Sequence, residues 1–330
     1  MGSLNSGAWN LWKLGAKFDP RIALPAKRWR EVSRKQVTAE PYKREVLFSR
    51  MSKGEVVLFS NLKVPVARER ELGLEEAVLT ALADGLPDRT RAKVWWRRSF
   101  HRKSITIREL LKNWREDRGP MNIADLHIRD TGLYERIDTS SLCNFNLLSG
   151  ARGECALEEI LSMIVSTTGA FTDSHTDDPD GSNHCFVGRK LWLAWDTFEG
   201  IENGLEDVDR QQLARWAAFD IEAFLRLRSS RWIIVEPGQT LFLPGHLTHR
   251  VITLERYLEV GGFFVMFPSL QRTLARWRRD TPLWALTKPL KHRLTLVDQI
   301  ARRANRKAQQ LRLGDSRERR QWGLNWFATS

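Results

Sequence analysis

The chain reads as a mainly β protein, a sandwich or barrel, with helical additions at both ends. Three observations predict this. From about residue 121, short alternating segments follow one another with turn residues between them. On either side of that stretch the apolar spacing shifts to steps of three and four, the period of a helix. The 330 residues, 42% of them hydrophobic and 28% charged, suffice for a large buried core and argue against wholesale disorder. The division expected is 1–120, a mixed α/β region wrapping the core; 121–268, the β core; and 269–330, a basic helical region.

Residues 1–45 are basic and punctuated by proline, with scattered Trp, and should run over the surface. Glu55 to Phe59 has the composition of a strand. Leu74 to Asp84 is helical, since Leu74, Ala77, Val78, Ala81 and Leu82 share one face and Gly85 and Pro87 end it. Val94 to Trp96 is a strand. Thr106 caps a helix through Glu109, Leu110, Leu111 and Trp114, broken by Gly119-Pro120. The core strands are then Asn122 to Ile128, Leu142 to Leu148, Ile160 to Ser166, Leu191 to Trp195 after a turn at Gly188, Trp232 to Val235, Thr240 to Leu243, Arg250 to Leu254 and Tyr257 to Phe267. One helical insert, Val208 to Leu227, interrupts them. Leu294, Val297, Ala301, Ala304 and Ala308 recur at helical steps near the C-terminus.

Charge is unevenly placed. Residues 271–330 hold 15 Lys+Arg and 4 Asp+Glu, which is +11 of the chain's +13. An acidic partner such as nucleic acid is one reading of that region. A solvated face on a packed helix is the other, and it is favoured because no aromatic residues interleave the Arg cluster. Three Cys exclude a disulfide framework and fit a reducing, intracellular compartment. The longest apolar run, Tyr257 to Phe267, contains Glu259 and is far too short to cross a membrane. The N-terminus has no secretory pattern, and Met1-Gly2-Ser3 fits the myristoylation motif only loosely.

The chemistry concentrates in Phe171-Thr172-Asp173-Ser174-His175-Thr176-Asp177. Residues two apart on a strand project to one face, so His175 and Asp177 offer an imidazole and a carboxylate to one point. A second histidine arrives in Pro244-Gly245-His246-Leu247-Thr248-His249, as His246 or His249. Two His and one carboxylate form the facial triad of non-haem Fe(II) oxygenases, which leaves one face of an octahedron for co-substrate and O2. Lys190, on the strand after Gly188, can anchor the carboxylate of a dicarboxylate co-substrate, and the Thr172 hydroxyl can donate to the same carboxylate.

Thr172-x-x-His175-x-Asp177, Asn183-His184-Cys185-Phe186-Val187-Gly188-Arg189-Lys190, Gly238 to Pro244 with His249, and the closing Gly261-Gly262-Phe263-Phe264 together resemble a Jumonji C (JmjC) domain. Asn122 to Ile128, with Thr131 and Leu133, resembles the preceding strand of the branch containing the F-box- and PHD-finger-linked histone lysine demethylases. The resemblance covers about residues 104–268. It implies a double-stranded β-helix core of the cupin (jelly-roll) type. It implies Fe(II) held by His175, Asp177 and His249, the last because the family's His follows its Pro by five residues. It implies 2-oxoglutarate held by Thr172 and Lys190, consumed with O2 to give succinate and CO2 while a substrate C–H is hydroxylated; hydroxylation of an N-methyl group releases formaldehyde.

The chain also departs from the pattern. Asn183 stands where that branch has a Tyr lining the methyl-lysine pocket, and the chain has only Tyr42, Tyr134 and Tyr257. Asp178-Pro179-Asp180-Gly181 replaces Phe-Gly-Gly; Asp178 and Asp180 would sit at the pocket mouth and attract a cation, or form a solvated turn. Asn146, on the predicted strand Leu142 to Leu148, is a further candidate for reaching the co-substrate. His184 and Cys185 read as a core pair rather than a second metal site, and His101, His127 and His292 show no partner spacing. The expected substrate is a protein or peptide, as demethylase or hydroxylase, with a small molecule or RNA, or a non-catalytic binding module, as alternatives.

Overall fold

A computed structural model gives the fold and describes residues 6–96, 99–143, 145–148, 161–177, 179–205, 219–245, 247–284 and 290–324. The protein is mainly β, with helices flanking two sheets. The smaller sheet runs β1 (Gln36–Val37), β10 (Arg231–Val235), β9 (Lys190–Asp196), β12 (Leu247–Thr253), β7 (Phe171–Thr176). The larger runs β2 (Val57–Phe59), β11 (Thr240–Leu243), β8 (Asp180–Val187), β13 (Tyr257–Phe264), β6 (Leu161–Ser166), β5 (Met121–His127), β3 (Arg91–Trp96), β4 (Ser99–Thr106). Every ladder is antiparallel except β1 with β10.

The sheets face one another. Trp192, Ala194, Ile233 and Val251 of the smaller sheet share one buried cluster with Leu58, Cys185, Leu241 and Tyr257 of the larger. Their outer faces are also covered. Leu191, Leu193 and Trp195 of β9 pack against Trp12 and Trp29 from the N-terminal helices and Phe224 of the helix Ile221–Arg226. Leu258, Val260 and Phe264 of β13 pack against the helices Arg44–Ser52, Leu74–Gly85 and Ile107–Arg115. A strand buried on both faces reads as a continuous apolar run, which is how β9 and β13 appear in the sequence. Gly188 makes the β8–β9 turn at φ 83, and a Cβ there would fall on the Arg256 carbonyl.

The N-terminal region builds as well as wraps, since β2, β3 and β4 are members of the larger sheet. Strand β4 was not among the expected segments. The segment Leu142 to Leu148 is not a strand: a helix, Ser140–Cys143, leads into a turn. The Asp138 carboxylate accepts from the Ser140 backbone N–H at 3.0 Å at the start of that helix, a local bond that competes with sheet pairing. Thr106 caps its helix as expected, accepting from the Glu109 N–H at 3.3 Å. Of the expected insert Val208 to Leu227, residues 208–218 lie outside the described residues and Ile221–Arg226 is helical. Strand β12 begins at Leu247, so His249 lies within it.

Candidate metal centre

Strands β7 and β12 place the two histidines. His249 stands directly opposite His175 in the ladder, and their ring centroids are 4.1 Å apart. Asp177 follows the end of β7. Its Oδ2 lies 3.8 Å from His175 Nε2 and 3.4 Å from His249 Nε2. One ligand atom from each residue lies within 4.8 Å of the others. His246 lies outside the described residues.

The far ring nitrogens fix which atoms are free. His175 Nδ1 is 2.7 Å from the Asp173 carbonyl, and His249 Nδ1 is 3.2 Å from the Leu247 carbonyl. A carbonyl only accepts, so each Nδ1 donates and each Nε2 keeps its lone pair for a metal. Burial, with His175 beside it, lowers the His249 pKa to about 4, so the ring is neutral near pH 7. Trp192 stacks on His249 at 5.4 Å and 28°. Two imidazoles and a carboxylate suit a divalent transition metal such as Fe(II).

The triad opens into a cavity of about 940 Å³, which Thr172, Asn183 and Lys190 also line. The spacing of Thr172 and His175 is odd and would put them on opposite faces of a regular strand. A bulge resolves this. His249 and Val251, two apart on β12, pair with His175 and Thr172, three apart on β7. Thr172 Oγ1 accepts from Asn122 Nδ2 at 3.0 Å, and Asn122 Oδ1 accepts from Ser166 at 2.6 Å. With its acceptor side engaged, the Thr172 hydroxyl proton is left to donate to a ligand. Gly261 is opposite Asn183, and a Cβ at Gly261 would come within 2.8 Å of the Asn183 Oδ1.

Two expected positions serve structure instead. Asn146 is buried and away from the cavity: its Oδ1 accepts from the Leu148 N–H at 2.9 Å and the Val265 N–H at 3.0 Å, which pins the turn to the end of β13. Asp180 is fully buried rather than at a solvated mouth. It accepts from the Gly245 N–H at 2.8 Å and Arg272 at 3.1 Å and pairs with Ser269. Asp178 lies outside the described residues. His184 is buried against Thr240 at 2.8 Å, and burial lowers its pKa to about 4. Cys185 is buried with its thiol pushed up by burial; the pair belongs to the core, as expected.

Three features escaped sequence reasoning. Asn122 lay on an expected strand, but nothing local marked its bond to Thr172. Arg250, next to His249, is fully buried; its Nε donates to Asp19 at 2.7 Å and its Nη1 to Asp173, tying β12 to β7 and to the N-terminal region. Lys190 Nζ donates to Glu259 at 2.9 Å. The signal for that pair was present as the one acid in the longest apolar run. No protein-family model matches the chain and no curated protein matches it.

Proposed function

We propose that the protein is an Fe(II)- and 2-oxoglutarate-dependent dioxygenase of the JmjC type, on a double-stranded β-helix (cupin) core, that hydroxylates a substrate C–H bond. The observation that carries this reading is the convergence of His175 Nε2, His249 Nε2 and Asp177 Oδ2 in the cavity that Thr172 and Lys190 line. His175, Asp177 and His249 would hold the iron. Bound iron supplies the activation of O2 that couples conversion of 2-oxoglutarate to succinate and CO2 with hydroxylation of the substrate.

The chain's own residues orient and shelter. Backbone carbonyls at Asp173 and Leu247 keep both rings in the ligating tautomer. Asn122 turns the Thr172 hydroxyl into a donor for a co-substrate carboxylate. Lys190 supplies a buried cation, and Trp192 shields the inner face of His249.

A protein or peptide substrate, as lysine demethylase or hydroxylase, follows from the branch resemblance. A small molecule is the second reading, and one observation favours it: among the described residues that line the cavity there is no tyrosine, while Phe171, Trp192 and Phe263 are the aromatics. Phe171 already faces the Arg250 guanidinium at 5.3 Å and Trp192 stacks on His249, so two of those three rings are engaged within the protein rather than in a cage for a methylammonium. Succinate release with Fe(II) and ascorbate, over methylated histone peptides, unmodified basic peptides, RNA and small-molecule pools, tests both. Stimulation by methyl-lysine peptides with formaldehyde release supports demethylation. Stimulation by a small-molecule pool alone discards it. Absence of succinate from an iron-loaded sample with every pool would count against the oxygenase reading.

A further inference from the structure

Lys190 already has an anionic partner inside the protein. Its Nζ lies 2.9 Å from Glu259 Oε1, and the two side chains are 5% and 1% exposed. The pair spans the two sheets, Lys190 on β9 and Glu259 on β13, and both residues line the cavity of the metal centre. The Tyr257 ring covers Nζ at 4.4 Å. Cys185 lies opposite Glu259 in the β8–β13 ladder. Burial raises the pKa of the Cys185 thiol and the Tyr257 phenol, so both are neutral. Arg189, next in sequence, is engaged elsewhere with Glu236 and Glu255. Among the described residues, this end of the cavity therefore holds one cation and one carboxylate. Glu259 Oε2 has no hydrogen-bond partner.

A second carboxylate arriving at Lys190 would share a single ammonium with Glu259 in a buried place. Like charges in such a setting oppose one another strongly. An uncharged end group with both a donor and an acceptor meets no such opposition. A carboxamide can accept from Lys190 Nζ and donate to Glu259 Oε2.

We propose that Glu259 determines which end group of a 2-oxo acid this site accepts, by occupying Lys190 in competition with the distal carboxylate. This rests on the oxygenase reading above and widens its co-substrate from 2-oxoglutarate to the class of 2-oxo acids. Glu259 makes 2-oxoglutarate a weak ligand and favours a 2-oxo acid whose far end is neutral and hydrogen-bonding.

Calorimetric titration of the Mn(II)-loaded full chain, without O2, tests this with two probes, 2-oxoglutarate and its distal amide, 2-oxoglutaramate. Wild type should bind the amide more tightly. Glu259→Gln should bind 2-oxoglutarate at least tenfold more tightly than wild type and reverse the preference. Should Glu259→Gln not fold, Glu259→Asp, which withdraws the carboxylate from Lys190 by one methylene, should tighten 2-oxoglutarate at least threefold. Unchanged or weaker binding of 2-oxoglutarate by the variant overturns the inference and makes Glu259 a residue that merely positions Lys190. Failure of wild type and variant alike to bind either probe, with Mn(II) bound, overturns the 2-oxo acid reading itself.

Discussion

A histidine ligates a metal only while its lone pair is free of a proton, and here burial enforces that state. His249 has its pKa lowered to about 4. His249→Ala, His175→Ala and Asp177→Ala should each weaken Mn(II) binding at least a hundredfold with the fold retained, measured by calorimetry and circular dichroism. His246→Ala should bind the metal as wild type does; loss of binding in that variant would move the third ligand. Burial also links the metal-free protein to pH. The His184 and His249 rings both titrate near 4 when folded and near 6.5 when exposed. Between those values the unfolded chain takes up protons that the folded chain refuses. Stability is therefore lost as pH falls from 6.5 towards 4, by up to about 3 kcal/mol per ring. The Tm of metal-free protein should fall across that window, and His184→Gln should lessen the fall; a flat profile would contradict it. At this scale the pairing of His175 with Asp177 was legible from spacing, whereas the choice of His249 over His246 came only from the family resemblance. The site was illegible where a partner is remote in sequence. Nothing near Asn146 announces the Val265 N–H, and nothing near Asp180 announces Arg272.

Elements position these residues through irregularities as much as through regular strands. The bulge in β7 brings Thr172 onto the face of His175 and turns Asp173 toward Arg250. Arg250, next in sequence to His249, thereby clamps β7 to β12, with Asp19 bonded to it as well. Arg250→Met leaves the buried carboxylate of Asp173 without that cation, while Asp19 keeps Arg21 at 2.8 Å. Breaking a buried pair by removing one partner costs about 3–5 kcal/mol. The urea midpoint of the variant should fall accordingly, and the metal site should loosen, because Asp173 also orients His175. A midpoint within error of wild type would show that the clamp contributes nothing. Many strands were recognisable from their apolar alternation and turns, but β1, β4 and β8 were not among the expected segments. The Leu142 to Leu148 segment misled because its apolar spacing imitates a strand, whereas Asp138 and Thr139 bond locally and turn the chain, Thr139 accepting from the Leu142 N–H at 2.9 Å.

At the scale of the whole molecule, the basic C-terminal region is bound into the structure by one face and presents its charge on another. In the helix Leu290–Leu313, Val297, Ile300, Ala304, Ala308 and Leu311 fall on one side and join a buried cluster with Leu147, Leu148, Val265, Phe267 and Leu270. Arg303 donates to the Leu147 carbonyl at 2.9 Å and closes that contact. Arg302, Arg306 and Arg312 are exposed, with Arg302 paired to Asp298 at 2.7 Å. The two faces therefore answer to different tests. Ile300→Asp puts a charge in the buried cluster and should cost at least about 3 kcal/mol. The triple change Arg302→Gln, Arg306→Gln, Arg312→Gln should leave stability within about 1 kcal/mol, because exposed pairs contribute little. If this face takes an acidic partner, the less favoured reading of the charge distribution, the triple variant should also lose salt-dependent binding to a polyanion such as heparin or RNA. Equal binding by wild type and triple variant would leave these arginines as a solvated face. Deleting residues 290–330 cannot separate the two, since it strips the cover from Leu147, Val265 and Phe267 together with the charge.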